Sequence, residues 1–252
     1  MTGAAPAGGT RWALVTGGSR GIGRAVALTL ADEGWNVGIG YLQNHAAAEQ
    51  VVAAVQGRGR SAFLHAGNLG SSEACGALVE RLGSEAGRLD GLVHCAALGA
   101  LSPVLETRPG RWRLAWDTHV AALIDLVARA RPLFTRGGAV VALTSRGSQR
   151  VMPGYGSIAA AKGALETLVR YLAAELAGED INVNAVCGGP VDTASLRSFD
   201  TFAALEAESR RRASGRLGQP EDLAPVVAFL LSPQARWIRG QVVVADGGFS
   251  LA

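Results

Sequence analysis

A short apolar run, Trp12–Thr16, leads directly into Gly17-Gly-Ser-Arg-Gly-Ile-Gly23, and residues 24–33 then show helical periodicity. This order of buried strand, glycine turn and helix constrains the fold more than any other feature of the chain. An apolar run without alternation is a strand covered on both faces. The turn that follows makes a phosphate cradle. Its glycines let the backbone approach a pyrophosphate, while the helix N-terminus supplies N–H donors and positive potential. Gly17, Ser19, Arg20, Gly21, Ile22 and Gly23 form that cradle. The spacing is Gly-x3-Gly-x-Gly rather than Gly-x-Gly-x-x-Gly, so its weight comes from its place at the first strand–helix junction. A plain tight turn is the alternative.

The rest of the chain repeats the alternation. Strands are predicted at 36–40, 61–65, 91–94, 139–144, 181–186 and 241–245, and helices at 46–56, 72–86, within 109–135, 157–177 and 220–231. Apolar strands alternating with helices give a doubly wound parallel sheet of about seven strands in an α/β, Rossmann-like fold. No linker or repeat interrupts it, so residues 11–252 read as a single domain behind a disordered tail at 1–10. The net charge of +3 is dispersed and points to no nucleic acid. No apolar run reaches membrane-spanning length. Three widely spaced cysteines form neither a metal set nor a disulfide framework, which places the protein in a reducing cytoplasm.

A dinucleotide site usually has an acid at the end of the second strand to hold the adenosine 2′-hydroxyl. Here that end reads Tyr41-Leu-Gln-Asn44, with no acid, while Arg20 sits in the phosphate turn. Both features favour NADPH over NADH. A solvated Arg20 is the plainer alternative.

Lys162 is the only lysine in 252 residues; every other basic side chain is arginine. An ammonium is a compact charge whose pKa can be tuned, which a guanidinium is not. Tyr155 precedes it by seven residues, about two helical turns, so both side chains can share one face of a helix starting near Pro153. A phenol near an ammonium is expected to ionise more easily.

These stretches resemble the short-chain dehydrogenase/reductase family. The resemblance rests on Thr16–Gly23, Ser145, Lys162, Asn184–Thr193 and Gly240–Gly248, and covers the chain from Arg11 onward. It implies a nicotinamide cofactor, a proton donor and lysine pair, and frequent homotetramers or homodimers. It also implies that Tyr41, Asn68, Leu69, Cys95, Ala96, Gly188, Val191 and Thr193 border the cofactor, and that residues 194–216 form a substrate lid. The family's usual tyrosine stands four residues before the lysine, where this chain has Ile158. The Tyr155-x6-Lys162 spacing is similar to that of enoyl-acyl-carrier-protein reductases, and the surrounding stretches are most similar to the NADPH-dependent type III.

By that resemblance Tyr155, Lys162 and Ser145 are catalytic, and His119 takes the place of an asparagine. A histidine there can donate, accept or titrate near neutrality, or it can simply pack. His94 is expected to line the cofactor groove. The implied reaction reduces an enoyl thioester in fatty acid or polyketide biosynthesis, with an acyl carrier protein as one bearer. The lid's Arg197, Arg210, Arg211, Arg212 and Arg216 offer such a carrier a docking charge, or form an ordinary solvated face. A keto- or hydroxy-group reductase and a cofactor-binding, non-redox member of the family are the alternatives. No metal is implied.

Overall fold

The computed structural model describes residues 10–251. The tail expected at 1–10 therefore lies, apart from an exposed Thr10, outside the described residues. Seven strands alternate with helices: β1 (Trp12–Thr16), α1 (Gly21–Asp32), β2 (Asn36–Tyr41), α2 (His45–Gln56), β3 (Ala62–Ala66), α3 (Ser72–Ala86) and β4 (Leu89–His94). Then come α4 (Pro109–Trp116), α5 (Ala122–Ala130), β5 (Phe134–Ser145), α6 (Gly156–Glu175), β6 (Asn182–Gly188), α7 (Ala194–Arg197), α8 (Phe202–Arg211), α9 (Pro220–Leu231) and β7 (Val242–Ala245). All pairings are parallel, in the order β3-β2-β1-β4-β5-β6-β7.

Side chains of a strand alternate between sheet faces, and the two cores follow this. Ala13, Val15, Val141 and Leu143 pack with α1, α2 and α9 around fully buried Trp35. Trp12, Leu14, Val140 and Ala142 pack with α3, α5 and α6. The strand order reverses between β1 and β4. A crevice opens at the carboxyl ends of strands at such a reversal, and it positions the site.

Three local departures from the sequence reading matter. Residues 109–135 are not one regular helix: α4 and α5 are joined by a π-helical turn, Asp117–Ala121. Strand β5 begins at Phe134, earlier than expected. Helix α6 begins at Gly156, not near Pro153. Gly154 adopts φ +71°, and the Tyr155 amide donates to the Met152 carbonyl at 3.1 Å. Pro153-Gly154 thus makes a turn with a left-handed second residue, and Tyr155 stands at the helix cap. The apolar stripe Ile158, Ala161, Leu165, Val169 and Ala173 then holds α6 against the sheet, with Lys162 and Glu166 buried beside it.

Among the described residues no helix is long and apolar enough to cross a membrane.

Candidate functional site

The glycine turn between β1 and α1 is folded so tightly that no side chain fits at its last glycine. A Cβ on Gly23 would lie 2.3 Å from the Gly17 carbonyl oxygen. Gly17 has φ +65° and passes against the backbone of Cys95 and Ala96, while the Ala96 amide donates to the Thr16 hydroxyl at 3.1 Å. The ends of β1 and β4 are thereby locked together beneath the α1 N-terminus. Gly23→Ala is expected to spread this turn and abolish nucleotide binding, read by fluorescence titration; wild-type affinity in the variant would show that the turn yields.

A cavity of about 630 Å³ opens above this junction. Arg20 and Ile22 form one wall, Ser145, Tyr155 and Lys162 another, and the segment after β6, including Gly188, Val191 and Thr193, a third. Among the described residues its charged lining consists of Arg20, Arg146, Arg150 and Lys162, with no carboxylate. Leu98, Leu101, Met152, Ile158, Phe199 and Leu205 supply an apolar side.

Tyr155 lies in this cavity with its ring against Gly147, where a Cβ would come within 2.5 Å of the ring. Ser145 is its polar neighbour and favours the phenolate, yet burial raises the phenol pKa above the ordinary value. The expected ease of ionisation is therefore not found. Desolvation of the phenolate outweighs the influence of Ser145, and Cys187 adds to the rise. The Ser145 hydroxyl accepts from the Gly147 amide at 3.2 Å. Ile158 is 5% exposed and packs over Gly99, filling the place one turn before the lysine.

Lys162 is buried, and its Nζ donates to the Leu143 carbonyl at 2.6 Å. Burial lowers its pKa to about 8, against the opposing pull of Cys95, Glu166 and Cys187.

The two histidines depart from expectation. His94 does not line the cavity. It is fully buried, with Nε2 3.1 Å from the Thr118 carbonyl and Nδ1 3.2 Å from the Thr16 hydroxyl. The carbonyl must receive Nε2–H, so Nδ1 is the acceptor. Burial, with Lys162 adding to it, drives the His94 pKa down to about 3. His119 does reach the cavity, from the π turn. Burial first, then Lys162 and His94, push its pKa to about 2, so it does not titrate near neutrality. Its Nε2 donates to the Leu98 carbonyl at 3.1 Å, which leaves the bare Nδ1, unpartnered among the described residues, as an acceptor only.

The remaining positions divide. Ser19 is buried beneath the turn, and Arg20 is exposed with no ion-pair partner among the described residues. Gly21 faces the Thr193 side chain across the crevice. The Thr193 hydroxyl caps α7 by accepting from the Leu196 amide at 3.1 Å. The Tyr41 hydroxyl is engaged by His45. The Asn68 side chain folds onto the Gly70 amide at 3.1 Å, and the Leu69 side chain belongs to the core.

In the segment 194–216 all five arginines are paired with carboxylates, Arg211 and Arg212 sharing one. Arg197 pairs with Asp192 at 2.6 Å, Arg210 with Glu206 at 3.1 Å, Arg211 and Arg212 with Glu208, and Arg216 with Asp222 at 2.6 Å. That face is no bare cationic patch, which removes the charge argument for carrier docking there. Among the described residues, two arginines of the cavity lining have no carboxylate partner: Arg20, and Arg150, which the sequence reading did not single out. The Arg150 guanidinium donates to the Ser250 carbonyl at 2.6 Å. Its signal in the sequence is its place in the polar turn after Ser145.

The family model described as Enoyl-(Acyl carrier protein) reductase matches residues 17–250. A 1-cyclohexenylcarbonyl-CoA reductase of Streptomyces collinus is 36% identical over 241 residues, which is 94% of this chain and 86% of that protein. The 3-oxoacyl-acyl-carrier-protein reductase FabG of Staphylococcus aureus is 33% identical over 246 residues, 95% of this chain and 98% of that protein. The crystal structure of a short chain dehydrogenase from Burkholderia cenocepacia in complex with NADP superposes with a TM-score of 0.89 at 32% identity, covering 96% of this chain and 98% of that one.

Proposed function

The chain belongs to the short-chain dehydrogenase/reductase family and is an NAD(P)-dependent oxidoreductase, and from that premise we propose that it uses NADPH to reduce the double bond of a 2-enoyl thioester. One observation carries this reading. The cavity holds a half-buried, protonated phenol at Tyr155 and a buried isoleucine at the position one turn before Lys162. A carbonyl reductase must give a proton to the oxygen that becomes an alcohol, and a donor suited to that task has a pKa near the working pH. Burial moves Tyr155 the other way. A phenol that keeps its proton is suited to hydrogen-bonding a developing enolate oxygen, which is stabilisation needed chiefly in the transition state.

The cradle and the cavity fit the cofactor. The Gly17–Gly23 turn leaves room for a pyrophosphate, Arg20 stands where no acid opposes a 2′-phosphate, and the charged lining is wholly cationic. When bound, NADPH supplies the hydride. The chain's own residues do the rest. The ammonium of Lys162, fixed on the Leu143 carbonyl, holds positive charge near the ribose and the reacting oxygen. Ser145 lines the cavity beside Tyr155 as a second polar group for the substrate. His119 offers an acceptor to whatever donor lies beside Lys162, and so serves as a positioning group. The apolar side from Leu98 to Leu205 receives the acyl chain and excludes water, with residues 194–216 as its cover.

Following NADPH absorbance with a short 2-enoyl thioester and a β-keto thioester tests the reading. Rapid oxidation with the first and little with the second is expected; the reverse would establish the second reading, a keto reductase. That reading draws on the likeness to the FabG relative and is opposed by Ile158.

NADPH is expected to bind more tightly than NADH. Arg20→Ala should weaken NADPH by roughly tenfold or more, the scale of a charge-assisted phosphate contact, with little change for NADH. Fluorescence titration of both cofactors measures this, and equal losses would remove Arg20 from the phosphate site. The same reading includes a homo-oligomer, for which exposed Trp116, Ile124 and Tyr171 on neighbouring helices supply apolar area. Sedimentation would reveal a monomer if it is wrong.

A further inference from the structure

One buried acid in this region has no part in the reaction described above. Glu166 is 7% exposed and stands one helical turn beyond Lys162 on α6. Its Oε1 accepts two hydroxyl hydrogen bonds, from Thr144 at 2.7 Å and from Ser148 at 2.6 Å. Thr144 is the penultimate residue of β5, and Ser148 closes the turn that follows it. The single Ser148 hydroxyl also lies 2.8 Å from the Ser145 carbonyl. The same turn contains Gly147, on which the Tyr155 ring lies, and Ser145, the polar neighbour of its hydroxyl. One carboxyl group therefore joins the helix that carries the ammonium to the turn that backs the phenol.

The other groups around Lys162 sharpen the point. His94 reaches it from β4, Cys95 from the residue after β4, His119 from the π turn and Cys187 from β6. Burial keeps both imidazoles uncharged at neutral pH, and raises the Cys95 and Cys187 thiols to about 12 and about 11, so those remain protonated. Glu166 is thus the neighbour that brings negative charge to the ammonium.

We propose that Glu166 is a positioning residue for the reaction: it fixes the Ser145–Ser148 turn against α6 and places an acid one helical turn from Lys162. A group that only packed would need neither an acid nor two hydroxyl partners, since a buried polar atom costs stability unless it is bonded. The kinetic part rests on the reductase reading; the part concerning cofactor affinity does not.

The test compares wild type with Glu166→Gln, Glu166→Ala and the double variant Thr144→Val/Ser148→Ala. NADPH affinity and turnover of a short 2-enoyl thioester are followed from pH 6 to pH 10. Removing the acid lets the Lys162 pKa fall further, so the ammonium is lost at lower pH. Glu166→Gln is expected to move the alkaline limb of NADPH binding and of kcat toward acid by about half a pH unit or more, and to lower kcat about tenfold. The hydroxyl double variant keeps the acid. It should lower kcat several-fold with the limb in place, because only the turn is released. An unmoved limb in Glu166→Gln, with kcat within about twofold of wild type, would overturn the proposal, as would full kcat in the double variant. Should Glu166→Ala fail to fold, the isosteric glutamine and the double variant decide the matter. Wild-type protein that binds NADPH but reduces no enoyl thioester would instead sink the reductase reading, and the binding limb would still test the charge.

Discussion

Tyr155→Phe lowers turnover of a short 2-enoyl thioester by roughly 10²-fold or more, the scale on which one oxyanion donor is lost, and leaves NADPH affinity within about twofold. The two effects separate because, in the proposed reaction, the phenol meets the substrate oxygen, while the Gly17–Gly23 cradle and Lys162 hold the cofactor. Phenylalanine keeps the ring on Gly147, so the turn retains its packing. What disappears is a single donor aimed into the cavity. Single-turnover measurements at saturating NADPH isolate the chemical step. A variant retaining more than about a third of wild-type turnover would mean that some other group meets the oxygen, and the enoyl reading would lose its central residue. The same logic applies to Ile158→Tyr. The isoleucine already packs over Gly99, where a Cβ would come within 2.5 Å of it, so a phenol at 158 meets the 99 loop before it meets a substrate.

Lys162→Arg loses roughly 10²-fold in turnover although charge is conserved. The lysine is buried, and its head fits against a backbone carbonyl at 2.6 Å. A planar guanidinium is wider than an ammonium and cannot occupy that contact while keeping its other donors turned toward the cavity. The pH profile supplies a second readout. In wild type the ammonium has a pKa of about 8. Activity that needs the charged form is therefore full below that value and falls as pH rises through it. A guanidinium does not titrate in this range, so whatever activity Lys162→Arg retains should show no alkaline limb near pH 8. Near-wild-type turnover in the variant, or a wild-type profile flat to pH 10, would make the solitary lysine incidental to the reaction.

The fold was legible because its signals are local and repeated. Each strand is an apolar run and each helix has its own period, and the Gly17–Gly23 turn fixed the first junction. The site was legible where a residue type is hard to replace, as at Lys162, or where spacing excludes a role, as at Ile158. What remained hidden depends on three-dimensional neighbours. The five arginines of residues 194–216 have acids within six residues in the sequence, but whether each pair meets depends on the geometry of α7, α8 and the start of α9. The raised pKa of Tyr155 comes from burial, which a count of residues to Lys162 does not measure. His94 is a similar case: polar in sequence, it lies inside the sheet junction because Thr16 and the Thr118 carbonyl satisfy both its nitrogens. Glu166 did carry a weak signal. It shares the face of Ala161, Leu165 and Val169, where an acid is out of place unless something bonds it.

The strand order has a consequence for how the molecule comes into being. The central seam joins β1 to β4, and the Trp12 amide there donates to the Asp90 carboxylate across 78 residues of chain at 2.9 Å. Everything from α1 to α3 must be looped out before that seam closes, and loop closure of this length delays folding far more than it weakens the product. The cradle and the cavity straddle the seam, with Gly17 on one side and Cys95 on the other. During refolding, helical signal therefore returns before the capacity to bind a nucleotide, which recovers only with the slowest phase. A nascent chain is in the same position: the glycine turn is made early and stays without its opposite wall until β4 arrives.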